Sequence, residues 1–138
     1  MASDQGKIGL TEVNLGIIPG AGGTQRMVRV LGMSRALPLL LEGTRLTGSE
    51  AKEIGLVHAL YPKDELFEAG MELAKRLAGQ PPIAVASILR CAREGGDTTL
   101  KEGLDIESEE VFRCIQTEDA QEAFQAFFEK RKPNFQGK

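Results

Sequence analysis

From Thr24 onward the apolar positions recur mostly at helical spacing, and only two short stretches of the chain suit a strand. Residues 7–18, KIGLTEVNLGII, carry Ile8, Leu10, Val13, Leu15 and Ile17 without one clean alternation. That pattern predicts a short strand followed by a turn. Residues 24–43, TQRMVRVLGMSRALPLLLEG, predict helix with stops at Gly32 and Gly43. Pro38 must then lie in a first turn or make a kink, because proline has no N–H to donate and its ring crowds the preceding turn. TGSE, residues 47–50, fits a capping box in which Thr47 accepts from the amide three residues on and Glu50 reaches back. The short helix it opens should stop at Gly55. LVHALY, residues 56–61, is the second strand candidate.

The remainder predicts helices alone. Asp64 is placed to cap one with Leu66, Phe67, Met71, Ala74 and Leu77 near helical period, ended by Gly79. Pro82 suits the first turn of the next, which runs to Glu94 and closes at Gly95 and Gly96. Thr99 and Glu102 form another capping box, and the helix they start puts Leu100, Leu104, Val111 and Ile115 along one side. A last helix from Glu118 to Arg131 carries Ala123, Phe124, Phe127 and Phe128, and Pro133 bars its extension. Six or seven helices therefore stand against two short strands. Two isolated strands rarely make a stable sheet. Either the chain is nearly all α, or its strands belong to a sheet whose other members lie outside these 138 residues.

Composition narrows the function classes. A length of 138 residues suits one domain with a real core. With 41% hydrophobic and 27% charged residues, the chain has globular rather than disordered character. A net charge of −3 argues against a nucleic-acid surface, and the one basic cluster, Lys130 to Lys132, is too short to reverse that. No apolar run reaches the roughly 18 residues of a membrane span, and the N-terminal MASDQGKIG has no signal-peptide core. Cys91 and Cys114 form no CxxC pair and no disulfide framework. They point to a reducing compartment, the cytoplasm or, in a eukaryote, the mitochondrial matrix, and to buried packing roles. His58 is the only histidine and has no cysteine or carboxylate at ligand spacing, so a structural hydrogen bond is expected of it and no metal site.

The candidate chemistry lies in residues 11–26, TEVNLGIIPGAGGTQR. The glycines do not make a P-loop, since no lysine follows Gly23, and Gly20, Gly22 and Gly23 have the wrong spacing for GxGxxG. Spacing alone favours a structural turn into a helix, with Pro19 and Gly20 at the corner and the other glycines allowing close backbone packing. Glu12 is the single carboxylate of the stretch and sits in its most apolar part. A glutamate beside a strand is usually solvated. One sheltered from water can move a proton near neutral pH, a service worth roughly 10²–10⁴ in rate. Composition does not decide between these.

TEVNLGIIPGAGGTQRMVRVLG resembles the signature of the crotonase superfamily, the enoyl-CoA hydratase/isomerase family. The likeness continues through LLLEGTRLTGSEAKEIGLVHALYP to AFFEKRKPNFQGK and spans essentially the whole chain. It implies an α/β fold, a spiral of ββα units followed by a helical trimerisation region. Residues 1–62 would be the end of the spiral, bearing the active-site glutamate and the glycine-rich loop, and residues 63–138 the helical region. The chain is then the C-terminal half of such a protein, predominantly helical with two short strands. The resemblance implies acyl-CoA thioester substrates, with coenzyme A part of the substrate and no separate cofactor. Two backbone N–H groups would form an oxyanion hole that stabilises an enolate. In the hydratases two glutamates flank the reacting carbons. Glu12 matches the second of them, with Thr11 replacing the proline usual before it, and Gly20, after Pro19, matches a glycine that lines the pocket. Phe127 matches an aromatic bordering the acyl pocket, and Lys130 a lysine that approaches the coenzyme A phosphates, often across a subunit boundary. By spacing alone Phe124, Phe127 and Phe128 would be helix core and Lys130 a solvated charge favouring the helix dipole.

The first glutamate would stand about twenty residues before Glu12 on the family pattern, and only eleven residues precede it here. The chain alone is therefore expected to lack that glutamate and the oxyanion hole, and to be inactive. Three functions stay open. The protein hydrates a 2-enoyl-CoA in fatty-acid metabolism; it is a double-bond isomerase using Glu12 alone; or the chain is a non-catalytic oligomerisation or partner-binding module. RNA binding, found in a branch with a lysine-rich helix, has no such helix here. A homo-oligomer, a trimer or dimer of trimers in the intact family member, is expected, with no nucleic acid and no membrane.

Overall fold

Four short strands, rather than two, accompany seven α-helices in the computed structural model, which describes all 138 residues. The chain divides into two compact units, Met1–Glu72 and Leu73–Lys138.

In the first unit, β1 (Ala2–Ser3) pairs in parallel with β4 (Leu60–Tyr61), and β2 (Lys7–Gly9) pairs antiparallel with β3 (Arg45–Thr47), Ile8 facing Leu46. β1 and β3 escape a pattern search because two or three residues are too few to show a period of two. The strand expected over residues 56–61 contracts to Leu60–Tyr61, because its partner β1 offers only Ala2 and Ser3. His58 falls in a bend before it. Glycine sets both stops of the next two helices. α1 (Gly23–Leu31) ends at Gly32 and α2 (Met33–Glu42) at Gly43, with φ of 74° and 61°. Pro38 lies inside α2 rather than in its first turn, so the Ser34 carbonyl loses its usual helical donor. Met27 and Leu31 of α1 pack on Ala36 of α2, and Leu10, Leu39, Ile54 and Leu56 close around them. The capping box forms: the Glu50 amide donates to Thr47 Oγ1 at 3.3 Å and the Thr47 amide donates to Glu50 Oε2 at 2.7 Å, opening α3 (Gly48–Glu53).

α4 (Leu66–Ala78) carries the chain from the first unit into the second. Its entry is closed by backbone bonds from the Glu65 and Leu66 amides to the Pro62 carbonyl, 3.0 Å each, and not by Asp64. Pro82 takes the first position of α5 (Pro82–Glu94), where a missing N–H is harmless. α6 (Leu100–Ile115) starts at the Thr99–Glu102 capping box. Gly95 and Gly103 let α5 and α6 meet closely: a Cβ on Gly95 would stand 3.4 Å from the Gly103 Cα. Glu110, 3% exposed, ties the pair together by accepting from Ser87 Oγ and, at 2.5 Å, from Arg90 Nη1. The Ser87 bond first, then Arg90, hold its carboxyl below the usual carboxylate range. α7 (Glu118–Glu129) stops two residues before the expected Arg131, because Lys130 turns left-handed.

Much of the apolar patterning has no partner within these residues. Leu100, Leu104, Val111 and Ile115, expected along one side of α6, are all exposed, as are Phe124, Phe127 and Phe128 of α7, expected as core on spacing alone. Cys91 and Cys114 are half-buried rather than fully packed, and both are free. They line an open groove of about 480 Å³ between α5 and α6 with Ile88, Glu110, Val111 and Ile115.

Candidate active site

The candidate site is assembled where β2 ends. Leu10 turns into the core, and the chain then winds into a 3-10 turn, Glu12–Leu15. The turn is held by backbone bonds: the Asn14 amide to the Thr11 carbonyl at 3.1 Å and the Gly16 amide to the Val13 carbonyl at 3.0 Å. Gly16, at φ 71°, reverses the chain, and the Ile17 amide returns to the Glu12 carbonyl at 3.3 Å. The back of the turn rests on the end of α2, so closely that a Cβ on Gly43 would meet Asn14 Nδ2 at 2.7 Å and Val13 Cγ1 at 3.0 Å.

Glu12 is half-buried, and its Oε2 is shut off from solvent with no hydrogen-bond partner. An orphaned buried polar atom of this kind is uncommon and calls for an explanation. Around it the chain is open and apolar: Leu15 is 77% exposed, Ile17 59% and Ile18 72%. An open cleft of about 510 Å³ adjoins the turn, lined by Thr11, Asn14, Leu15, Gly43 and Arg45.

The glycine loop is fastened to the same turn through Leu10. Pro19 is buried and Gly20 is exposed. Gly23, the first residue of α1, lies so close to both Leu10 and Pro19 that an added Cβ would stand 2.7 Å from Leu10 Cδ1 and 2.8 Å from Pro19 Cβ. Gly22 adopts φ 82°, and Arg26 folds back over it to donate from Nη2 to the Ala21 carbonyl at 2.5 Å. The sequence does not single out Arg26. Its only signal is its place one helical turn after Gly22.

Glu12, Pro19 and Gly20 all lie in the first unit, Pro19 meeting Leu10 through the shared neighbour Gly23. Phe127 and Lys130 belong to the second. Phe127 is 78% exposed and meets Phe128 edge to face, ring centroids 5.9 Å apart. Lys130 is exposed and caps α7 at φ 54°, the one non-glycine residue with a positive φ. No group of three or more histidine, cysteine, aspartate or glutamate side chains is placed to hold a metal ion, and no helix is long and apolar enough to cross a membrane.

A model described as enoyl-CoA hydratase/isomerase matches residues 1–138. The 2,3-dehydroadipyl-CoA hydratase of Escherichia coli K12 is 36% identical over 138 residues, which cover 100% of this chain and 54% of that protein. The enoyl-CoA isomerase/hydratase of Mycosarcoma maydis is 41% identical over 132 residues, 96% of this chain and 48% of that one. The crystal structure of an enoyl-CoA hydratase from Bacillus anthracis superposes with a TM-score of 0.96 at 41% identity, covering 99% of this chain and 53% of the other. The fold of these residues is that of the crotonase superfamily. Within it, the chain belongs to the enoyl-CoA hydratase/isomerase family. It spans about half the length of the curated relatives it matches.

Proposed function

We propose that this protein acts on acyl-CoA thioesters through an enolate, and that its reaction is hydration of a 2-enoyl-CoA. Residues 1–62 supply one wall of the site and residues 63–138 the helical assembly region. Glu12 moves the proton at the substrate carbon next to the enolate, while Pro19 and Gly20 line the pocket. Phe127 borders the acyl chain and Lys130 meets the coenzyme A phosphates. No cofactor beyond the thioester's own coenzyme A is called for. A reducing compartment, cytoplasm or mitochondrial matrix, suits the two free cysteines.

The observation that carries this reading is Glu12 Oε2, buried and partnerless beside open apolar surface. A structural carboxylate would have collected donors from the backbone of its own turn. One that must exchange a proton with a substrate carbon is better left without them. Residues 1–11 hold no glutamate to act as a partner for Glu12, so the 138-residue chain by itself is inactive on this reading. Loss of a single oxyanion donor alone costs about 10²–10³ in rate.

The test is a chimera in which residues 1–138 replace the matching half of the Bacillus anthracis hydratase, assayed by the loss of enoyl absorbance from crotonyl-CoA. The chimera should turn over, the 138-residue chain alone should not, and Glu12→Gln in the chimera should lower kcat by about 10²–10⁴. Normal turnover by the Glu12→Gln chimera on every acyl-CoA tried removes Glu12 from the chemistry. A chimera that shifts a 3-enoyl-CoA double bond but adds no water makes the protein an isomerase.

A further inference from the structure

The end of α7 is built in an unusual way. The Lys130 amide donates to the Phe127 carbonyl at 3.3 Å and the Arg131 amide to the Ala126 carbonyl at 3.0 Å. These are the two bonds of a Schellman turn, whose left-handed position normally belongs to glycine. Here that position holds a lysine at φ 54° and ψ 37°. A side chain in this region carries a conformational penalty, and such outliers persist only where the surroundings over-determine them.

The surroundings do so through two carboxylates on α7. Beyond Lys130 the chain runs back along the helix that it has just left. Glu122 takes both Nη atoms of Arg131, at 2.5 and 2.8 Å, and the Asn134 amide at 2.8 Å. One turn nearer the helix start, Asp119, 2% exposed, accepts the Gln136 amide on Oδ1 at 2.6 Å and the Gly137 amide on Oδ2 at 2.8 Å. The Asp119 amide itself donates to the Lys138 carbonyl at 3.1 Å. Glu129 adds a bond from Arg131 Nε at 2.5 Å. The tail is thus pinned at both ends of its return path, and the residue at the point of reversal is Lys130.

We infer that Asp119 and Glu122 are positioning residues for Lys130: by clamping the returning tail they hold this lysine left-handed and present its ammonium to the coenzyme A phosphates. The inference rests on the reading of Lys130 as a coenzyme A contact. A tail held only for stability would leave the reversal to glycine. Placing a lysine there instead, with five bonds from the tail that follows it to two carboxylates, trades local strain for a fixed backbone at the lysine Cα.

The experiment is NMR titration of the 138-residue chain with coenzyme A and, separately, with pantetheine, which lacks the nucleotide phosphates. Wild type is compared with Lys130→Ala, Glu122→Gln and Asp119→Asn/Glu122→Gln. In the double variant the Lys130 Cα shift and coupling should leave the left-handed range, and the Gln136 and Gly137 amides should lose exchange protection. Apparent affinity falls in proportion to the competent population, so a left-handed share reduced to about a tenth weakens coenzyme A about tenfold. Pantetheine should bind the variants as it binds wild type, whereas a general loss of structure would weaken both probes. Where the double variant does not fold, Glu122→Gln, which keeps both Asp119 bonds, is read by the same criteria. A released tail with coenzyme A affinity unchanged, while Lys130→Ala weakens it, overturns the positioning role and leaves the Lys130 contact standing. Coenzyme A binding that does not distinguish wild type from Lys130→Ala overturns the contact itself, and the inference with it.

Discussion

Single residues carry the most information where they break a rule. Glu12 Oε2 is buried without a donor, and Lys130 is left-handed without being glycine. Strain at Lys130 predicts that Lys130→Gly stabilises the chain by up to about 1.5 kcal/mol. Relief of about 1–2 kcal/mol at a left-handed position is partly offset by the greater freedom of an unfolded glycine, about 0.5–1 kcal/mol. A urea melt of the two chains checks this, and a lowered midpoint would show that the turn is not strained. The carboxylate that holds the tail predicts a pH dependence. Arg131 first, then the Asn134 amide, lower Glu122 from 4.5 to about 2. A depressed folded value contributes stability that is fully present above pH 4.5 and is lost as pH falls toward 2. Exchange protection at Asn134 should fall through that window, and Glu122→Gln should flatten the response.

At the scale of elements, local signals were the legible ones. The Thr47 and Thr99 capping boxes, the stops at Gly32 and Gly43 and the first-turn Pro82 all follow from what one or two side chains can bond or avoid, and each stands where expected. β1 and β3 were not legible, because pairing across the chain and not periodicity defines strands this short. Nor was the stop of α7 at Glu129. It depends on the returning tail, and of the two acids that receive it Asp119 looks from sequence like an ordinary first-turn acid and Glu122 like a solvated helix charge. Glu12, Pro19 and Gly20 could be picked out from motif and resemblance. Close packing was expected of the loop's glycines, but not its partners: Gly23 starts α1 against Leu10 and Pro19, residues that only the fold brings to it. Gly23→Ala forces a Cβ to within 2.8 Å of the buried Pro19 ring, and overpacking of this kind costs about 1–3 kcal/mol. A fall in the thermal midpoint, with altered Gly20 and Ala21 amide shifts, is the expected result; an unchanged midpoint would mean the loop yields without strain.

At the scale of the whole molecule, the main fact is how much apolar side chain stays uncovered. Ile18, Leu100, Phe112, Phe127 and Phe128 are all more than half exposed, well beyond the scattered surface apolar residues of an ordinary monomer. We propose that copies of this chain associate through these surfaces. Light scattering at micromolar concentration should give a mass above that of one chain, and a strictly monomeric mass would refute it. The pairing of β1 with β4 carries a further, kinetic consequence. Helix pairs such as α1 with α2 and α5 with α6 join neighbours in sequence, whereas Ala2 must find Leu60 and Ser3 must find Tyr61. Closing so long a loop loses chain entropy before any contact repays it, and distant pairings of this kind slow folding. The helical hairpins can therefore form first, with the N-terminal clasp closing last over a chain already organised around Leu10 and α1.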